Sequence, residues 1–158
     1  MIYIGVGSNL GNRRKNIERA KFWIIQKGIK IQESSNYYES LSWPNNKNPK
    51  FLNIVLKIET HLIPIKLIKI FKNIEKSLGR KKATRNSPRI CDIDILDYRK
   101  RRINNKLVLP HPRLHNRNFV LLPLFELDKA WKHPVSKCHI KKLILSLSNR
   151  DIRSIKQI

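Results

Sequence analysis

Apolar and polar positions alternate between two periods along this chain. Ile2-Tyr3-Ile4-Gly5-Val6-Gly7 is a short apolar run that predicts a buried strand over Met1–Ser8, stopped by the turn residues Ser8-Asn9-Leu10-Gly11-Asn12. Asn12 can cap a helix running through Gln26. In that helix Ile17, Ala20, Trp23 (or Ile24) and Gln26 fit period 3.6, with Arg13, Arg14 and Lys21 outward and Gly28 as the stop. Ile29–Tyr38 alternates as a strand, Leu41–Lys50 is a Pro- and Asn-rich loop, and Phe51–Glu59 alternates again as a half-buried strand. The stretch Leu62–Leu78 carries Ile65, Leu67/Ile68, Phe71, Ile74 and Leu78 on one stripe, with Gly79 behind it, and predicts the strongest helix. Arg80–Arg89 is polar and basic. Ile90–Tyr98 is a strand, Asp97–Asn105 a turn leading to Lys106–Leu109, and Pro110–Asn118 a loop. An apolar helical turn over Phe119–Leu127 and a last helix near Ile140–Leu147 complete the pattern.

Helices placed between strands in this order predict an α+β (α/β sandwich) fold of split βαβ type, with a mainly antiparallel sheet. With 158 residues, no repeat and no low-complexity linker, the chain predicts a single domain over 1–158. The cysteines, Cys91 and Cys138, exclude a disulfide scaffold and point to a reducing compartment. The uncharged apolar stretches Met1–Leu10 and Phe119–Phe125 are too short to span a membrane, and Met1–Leu10 lacks the basic start of a signal peptide. The expectation is a cytoplasmic protein with no membrane partner.

Charge changes the picture less than its size suggests. Lys and Arg number 34 against 11 Asp and Glu, a formal net charge of +23. Such a balance ordinarily signals a polyanionic partner. Here Ile, Lys and Asn crowd the whole chain while alanine occurs only at Ala20, Ala83 and Ala130, so most of the charge reads as compositional drift.

One basic segment escapes that discount because it leads into a pair of carboxylates. Asp92 and Asp94 are two apart on a predicted strand and share a face, with Cys91, Ile93 and Ile95 on the other. Side by side the two carboxylates repel, and without a partner one would take up a proton. A divalent cation removes that conflict, and paired carboxylate oxygens suit Mg²⁺. Directly before them runs Gly79-Arg80-Lys81-Lys82-Ala83-Thr84-Arg85-Asn86-Ser87-Pro88-Arg89, cationic and without an acid. Cations beside a dicarboxylate strand suit phosphate handling. The run has little to bury and predicts a lid that orders on ligand binding. Other signals are weaker. Gly5 to Gly11 misses the dinucleotide-binding spacing by a residue, there is no P-loop, and Gly7 reads as a place for close approach. His111 lies among cations and suits a phosphate better than a metal. The cysteines lack zinc spacing.

The motifs together resemble one family in order and spacing: Gly7-Ser8-Asn9-Leu10-Gly11, Tyr38, Phe51-Leu52-Asn53, Glu75 with Leu78-Gly79-Arg80, Pro88-Arg89-Ile90-Cys91-Asp92-Ile93-Asp94-Ile95-Leu96, and Pro110-His111-Pro112-Arg113-Leu114-His115-Asn116-Arg117-Asn118-Phe119 running on to Leu124. The family is 6-hydroxymethyl-7,8-dihydropterin pyrophosphokinase, of folate biosynthesis. The resemblance implies a ferredoxin-like core and transfer of pyrophosphate from ATP to the pterin hydroxymethyl group, with release of AMP. It implies two Mg²⁺ on Asp92 and Asp94. Arg80, Lys82 and Arg89 would act on the transferred phosphates, with His111 and Arg117 also on phosphates and Glu75 near the nucleotide. Gly7, Ser40, Leu41, Trp43, Phe51, Asn53 and Phe119 would form the pterin pocket. It further implies a monomer with no specific nucleic-acid partner. Asn86 stands where the family often has Trp, Lys82 where Arg is common, Pro44 where Gly is, and the basic loop is a residue short of some relatives. These departures bear on lid closure and rate. The competing reading is a basic RNA-binding module on a similar sheet, which would need exposed strand aromatics. A third is a relic that keeps the fold without turnover.

Overall fold

The computed structural model describes residues 1–42, 47–80 and 87–158. Its frame is β1 (Ile2–Ser8), α1 (Arg13–Gln26), β2 (Lys30–Ser34), β3 (Tyr38–Ser40), β4 (Phe51–Glu59), α2 (Pro64–Ser77) and β5 (Asp92–Tyr98). A two-residue ribbon comes next, β6 (Ile103–Asn104) with β7 (Val108–Leu109). Then come a 3-10 turn at Leu114–Asn116, α3 (Asn118–Leu127), α4 (Ile140–Leu145), α5 (Asn149–Arg153) and β8 (Lys156–Gln157). The main sheet runs β5-β1-β4-β3-β8 with β2 also on β4, and its pairings are antiparallel. Taking β1, β2, β4 and β5 with α1 and α2 gives the βαββαβ order of a ferredoxin-like core.

Local chemistry explains the elements and the departures from the sequence expectation. Asn12 accepts the Lys15 N–H at 3.0 Å and opens α1, and Gly28 closes it at φ +73°. The buried stripe is Asn16, Ile17, Ala20 and Ile24, so Ile24 rather than Trp23 faces the core, and Gln26 is exposed. Residues 17, 20 and 24 keep the helical three- and four-residue spacing, which rotates position 23 outward. In α2, Leu67, Phe71 and Ile74 are buried as expected, whereas Ile65, a residue after the initiating Pro64, is exposed.

The strand expected over Ile29–Tyr38 is two. β2 pairs with the far half of β4 and β3 with its near half. Ser35 makes the break: its N–H donates to Val55 O at 2.9 Å, and its hydroxyl accepts the Val55 N–H at 2.9 Å. A side chain thus takes a ladder bond that backbone would otherwise make. β4 is central rather than half-buried, with Leu52 through Leu56 covered on both faces.

Those two faces have different covers. α1 and α2 pack Ile17, Ile24, Leu67 and Phe71 onto Ile4, Val6, Ile54, Leu56, Ile93 and Ile95. On the reverse, α3 and the segment after it pack Val120, Leu121, Leu124 and Trp131 onto Tyr3, Val55 and Leu96. This second cover stops short of the sheet end where β1 finishes and β5 begins.

Candidate active site

Strand register lines up the polar residues on that uncovered end. Asp92 pairs with Gly7, Gly7 with Asn53, and Asn53 with Tyr38, a row across β5, β1, β4 and β3. Paired residues on neighbouring strands point the same way, so Asp92, Gly7 and Asn53 of this row, with their neighbours Asp94 and Gly5, floor one cleft of about 330 Å³. Gly7 gives room to the amide beside it: a Cβ there would lie 2.9 Å from Asn53 Oδ1 and 3.4 Å from the Phe51 ring. Close approach is what Gly7 provides, and its beneficiary is Asn53.

The carboxylate end of the cleft is crowded with cations. Arg80 Nη1 donates to Asp92 Oδ1 at 2.7 Å and to Glu75 Oε2 at 2.5 Å, and Arg89 Nη1 lies 3.5 Å from Asp92 Oδ2. Glu75 is 1% exposed. Its Oε1 accepts the Ile93 N–H at 2.7 Å and Lys72 Nζ at 2.9 Å, locking α2 to β5. Glu75 therefore lies beneath the cleft as an anchor, and its partners Lys72 and Arg80 line the cleft. Burial works to raise the Asp92 pKa, but Arg89, then Arg80 and Lys72, outweigh it and hold the carboxyl below its ordinary range. Asp94 goes the other way, pushed up to about 6 by burial and then by the Asp92 charge. It keeps 31% of its side-chain exposure, so water screens part of that cost. Of the two carboxylates Asp94 is the one whose neutral form is favoured, and the arginines on Asp92 decide which.

His111 and Arg117 converge on Asp94. His111 Nε2 is 3.8 Å and Arg117 Nη1 3.6 Å from Asp94 Oδ2. Burial, then Arg117 and Arg113, depresses the His111 pKa to about 4, so the ring is neutral at pH 7. Its Nδ1 accepts the Arg113 N–H at 3.1 Å, which places the ring proton on Nε2. Nε2–H and the Arg117 guanidinium, 3.4 Å apart, are then two donors side by side. Donors so placed call for a shared acceptor. Arg89 Nε and Arg117 Nε are also buried with no hydrogen-bond partner among the described residues. Orphaned buried donors are costly, and the donor set fits phosphate oxygens.

The opposite end is amide and aromatic. Asn53 Nδ2 donates to Ser40 Oγ at 3.0 Å, and Phe51, Leu41 and Phe119 line the walls, with the Arg117 guanidinium 5.4 Å from the Phe119 ring centre. The residues expected from sequence thus meet in one cleft: Gly7, Ser40, Leu41, Phe51, Asn53, Arg80, Arg89, Asp92, Asp94, His111, Arg117 and Phe119. Trp43, Pro44, Lys82 and Asn86, and with them residues 81–86 of the lid expected over Arg80–Pro88, lie outside the described residues. Sequence reasoning missed Lys72, whose signal was its place one turn before Glu75. It also missed Asn9, whose Oδ1 accepts the Arg89 N–H at 2.7 Å and whose Nδ2 donates to Pro49 O at 3.1 Å and Ser42 Oγ at 3.3 Å. Its signal was its place inside the Gly7–Gly11 motif, which gave it no role of its own. Among the described residues no three His, Cys, Asp or Glu gather to hold a metal unaided. Asp92 and Asp94 supply two carboxylates, so a hard cation there would complete its shell with phosphate oxygens and water.

Comparison with known proteins agrees with this chemistry. The family model for 7,8-dihydro-6-hydroxymethylpterin-pyrophosphokinase (HPPK) matches residues 3–129. The chain is 38% identical over 142 residues to the 2-amino-4-hydroxy-6-hydroxymethyldihydropteridine pyrophosphokinase of Aquifex aeolicus, covering 89% of this chain and 88% of that one. It is 39% identical over 155 residues to the folic acid synthesis protein fol1 of Pneumocystis carinii, covering 98% of this chain but spanning only 21% of the fungal protein. A Plasmodium falciparum HPPK-DHPS structure with pterin and p-hydroxybenzoate shares the fold at TM-score 0.74 and 16% identity, over 99% of this chain and 46% of that one. Nothing in these likenesses supports the RNA-binding alternative. By its matched residues, and by a full-length bacterial relative, the chain belongs to the 7,8-dihydro-6-hydroxymethylpterin-pyrophosphokinase family.

Proposed function

We propose that this protein transfers pyrophosphate from ATP to 6-hydroxymethyl-7,8-dihydropterin, releasing AMP, with the reaction centred between Asp92/Asp94 and Asn53. The observation that carries the reading is the row Asp92–Gly7–Asn53: a dicarboxylate and a heterocycle-sized amide and aromatic slot share one floor. In this reaction the pterin hydroxymethyl oxygen bonds the β-phosphorus while the bond from that phosphorus to the AMP oxygen breaks. It needs in-line placement and charge neutralisation rather than a protein nucleophile.

Asp92 and Asp94 would hold Mg²⁺, two ions being expected, and the metal would supply Lewis-acid neutralisation of the phosphate oxygens. Arg89, His111 and Arg117 bind and orient those oxygens, Arg89 and Arg117 with buried Nε donors that have no partner among the described residues. Arg80, held on Asp92 here, would be free for phosphate were a cation to take that carboxylate, and Lys72 adds charge from the α2 side. Asn53 hydrogen-bonds the pterin edge, and Phe119, with Phe51, gives its ring a face. Lys82 and Trp43 keep the phosphate and pocket roles that the family resemblance gives them.

We take the unit to be a single domain over 1–158, monomeric because its +23 charge opposes self-association, cytoplasmic, and without a specific nucleic-acid partner. No described helix is long and apolar enough to cross a membrane. The test is product identity. With ATP and Mg²⁺, adding hydroxymethyldihydropterin should release AMP in step with pterin consumed. ADP release, or no pterin-dependent nucleotide release, refutes the reading, and the latter outcome is the one expected of a relic.

A further inference from the structure

We propose that residues 148–157 are a positioning element for the pterin slot, acting through Asn118 on Phe119 and through β8 on β3. The inference rests on the reading of that slot as the pterin site. The segment lies beyond the stretch that the family model matches, residues 3–129. Yet it reaches both walls of the slot.

On one wall, Asn118 Nδ2 donates to Asp151 O at 2.6 Å and to Ser154 Oγ at 3.2 Å, while its Oδ1 accepts the Phe119 N–H at 2.7 Å. Asn118 is buried and opens α3, so this tie fixes the backbone from which Phe119 projects. On the other wall, β8 pairs with β3 as Tyr38↔Gln157 and Glu39↔Lys156, and the Ile158 N–H donates to Tyr37 O at 2.9 Å. β3 carries Ser40, which holds the Asn53 amide. Farther along α3, Glu126 already joins that helix to Tyr38, accepting its hydroxyl at 3.0 Å. The C-terminal segment supplies the matching tie at the Phe119 end.

Packing does not do this job there. A second cavity of about 490 Å³ opens beside the cleft, shares Leu41, Arg117 and Phe119 with it, and has Ser148, Asp151 and Ser154 as its far wall. Across that space the slot width depends on hydrogen bonds at Asn118 and β8. The dicarboxylate lies on β5, away from this bridge. Loosening the bridge should therefore cost pterin binding and spare ATP.

Steady-state kinetics of two full-length variants test this. Asn118→Ala removes both donors to the segment. Ser154→Pro changes no residue of α3 but removes the hydroxyl that accepts from Asn118 and the Ser154 N–H bond to Arg150 O, 3.0 Å, and disfavours the helical backbone at Arg153. Each should raise KM for hydroxymethyldihydropterin by about three- to ten-fold, the scale of one lost hydrogen bond, with KM for ATP within about two-fold. A merely structural role would lower the thermal midpoint and kcat without that split. Unchanged pterin KM in both variants, or a parallel rise in both KM values, overturns the inference while wild-type AMP release still upholds the proposed reaction. Wild-type protein that releases no AMP with the pterin overturns the reaction and this inference with it. Should one variant fail to fold, the other carries the same split.

Discussion

Arg80 bonds Asp92 at 2.7 Å while bonding the buried Glu75 with the same nitrogen, so an arginine sits on a carboxylate assigned to metal. The guanidinium neutralises Asp92, and a hard cation on that carboxylate would have to displace it. Arg80→Ala should therefore bind Mn²⁺ more tightly than wild type without nucleotide, read by paramagnetic resonance, yet turn over more slowly with ATP. Metal-free stability should fall by about 1–3 kcal/mol, because buried Glu75 loses a charged partner but keeps Lys72 and the Ile93 amide. Unchanged Mn²⁺ affinity would count against the displacement.

Glu75 is the keystone of that arrangement, holding Lys72, Arg80 and the Ile93 amide together. Glu75→Gln keeps the shape and an acceptor for the Ile93 N–H, but weakens the hold on Lys72 and Arg80. It should leave ATP binding within a few-fold and lower kcat, since α2 no longer fixes Arg80 against β5. Glu75→Ala leaves a buried amide unmet and should cost about 2–4 kcal/mol in denaturant unfolding. Loss of ATP affinity matching the loss of kcat in Glu75→Gln would show direct contact instead.

Asp94 and His111 should impose opposite pH slopes on metal-free stability. Between its ordinary 3.8 and about 6, folded Asp94 keeps a proton that the unfolded chain has lost, so stability falls as pH rises through that window. Between about 4 and the ordinary 6.5, unfolded His111 holds a proton that the folded ring lacks, so its contribution is lost as pH falls through the window. Each shift comes chiefly from burial and from other charges, so removing one group leaves the other's slope. Relative to wild type between about pH 4 and 6, Asp94→Asn should gain stability more steeply with rising pH, and His111→Asn should lose it. Denaturant midpoints across that range decide the matter. Parallel profiles for the two variants would contradict it.

Much of this site was legible in the sequence because it is local. Period two put Asp92 and Asp94 on one face and Cys91 in the core, and β4 begins and ends where its alternation does. What escaped is long-range. Which aspartate favours its neutral form depends on Arg89 and then on Arg80, the latter twelve residues away and brought back by the turn at Gly79. The division of one strand into β2 and β3 rests on a Ser35 hydroxyl meeting the Val55 amide, twenty residues on. The short α5 and β8 have no apolar period to announce them, and they exist because Asn118 and β3 offer partners. Charge was legible in amount and, for Arg80 and Arg89 next to Asp92, in place; Lys72, brought to the carboxylates by α2, was not.

Surface charge away from the cleft should be dispensable for catalysis. Lys27 closes α1, and Lys141 and Lys142 lie on α4, all exposed and outside the cleft lining. Replacing the three with Gln should leave kcat unchanged and weaken low-salt binding to a polyanion such as heparin, with the difference vanishing as salt is raised. A large fall in kcat would show that distant charge steers the reaction.

The sharpest test separates the two carboxylates by stability while joining them by activity. Adjacent aspartates suggest from sequence that removing either relieves repulsion. The structure restricts that relief to Asp94. Asp92 accepts from Arg80 at 2.7 Å and faces Arg89 at 3.5 Å, so Asp92→Ala leaves two guanidinium groups short of a partner. Metal-free Asp92→Ala should be less stable than wild type at pH 7 by about 1–3 kcal/mol, the scale of a charge-assisted hydrogen bond. Asp94→Ala removes a carboxylate that burial and Asp92 both disfavour when ionised, so its stability at pH 7 should hold or rise. In activity the two converge, because each would lose half of the protein's oxygens for the metal, and Mg²⁺-dependent AMP release should drop by orders of magnitude in both. Stabilities that move together would show that Arg80 and Arg89 do not distinguish the carboxylates. Undiminished AMP release by either variant would remove the metal assignment while leaving the fold argument intact.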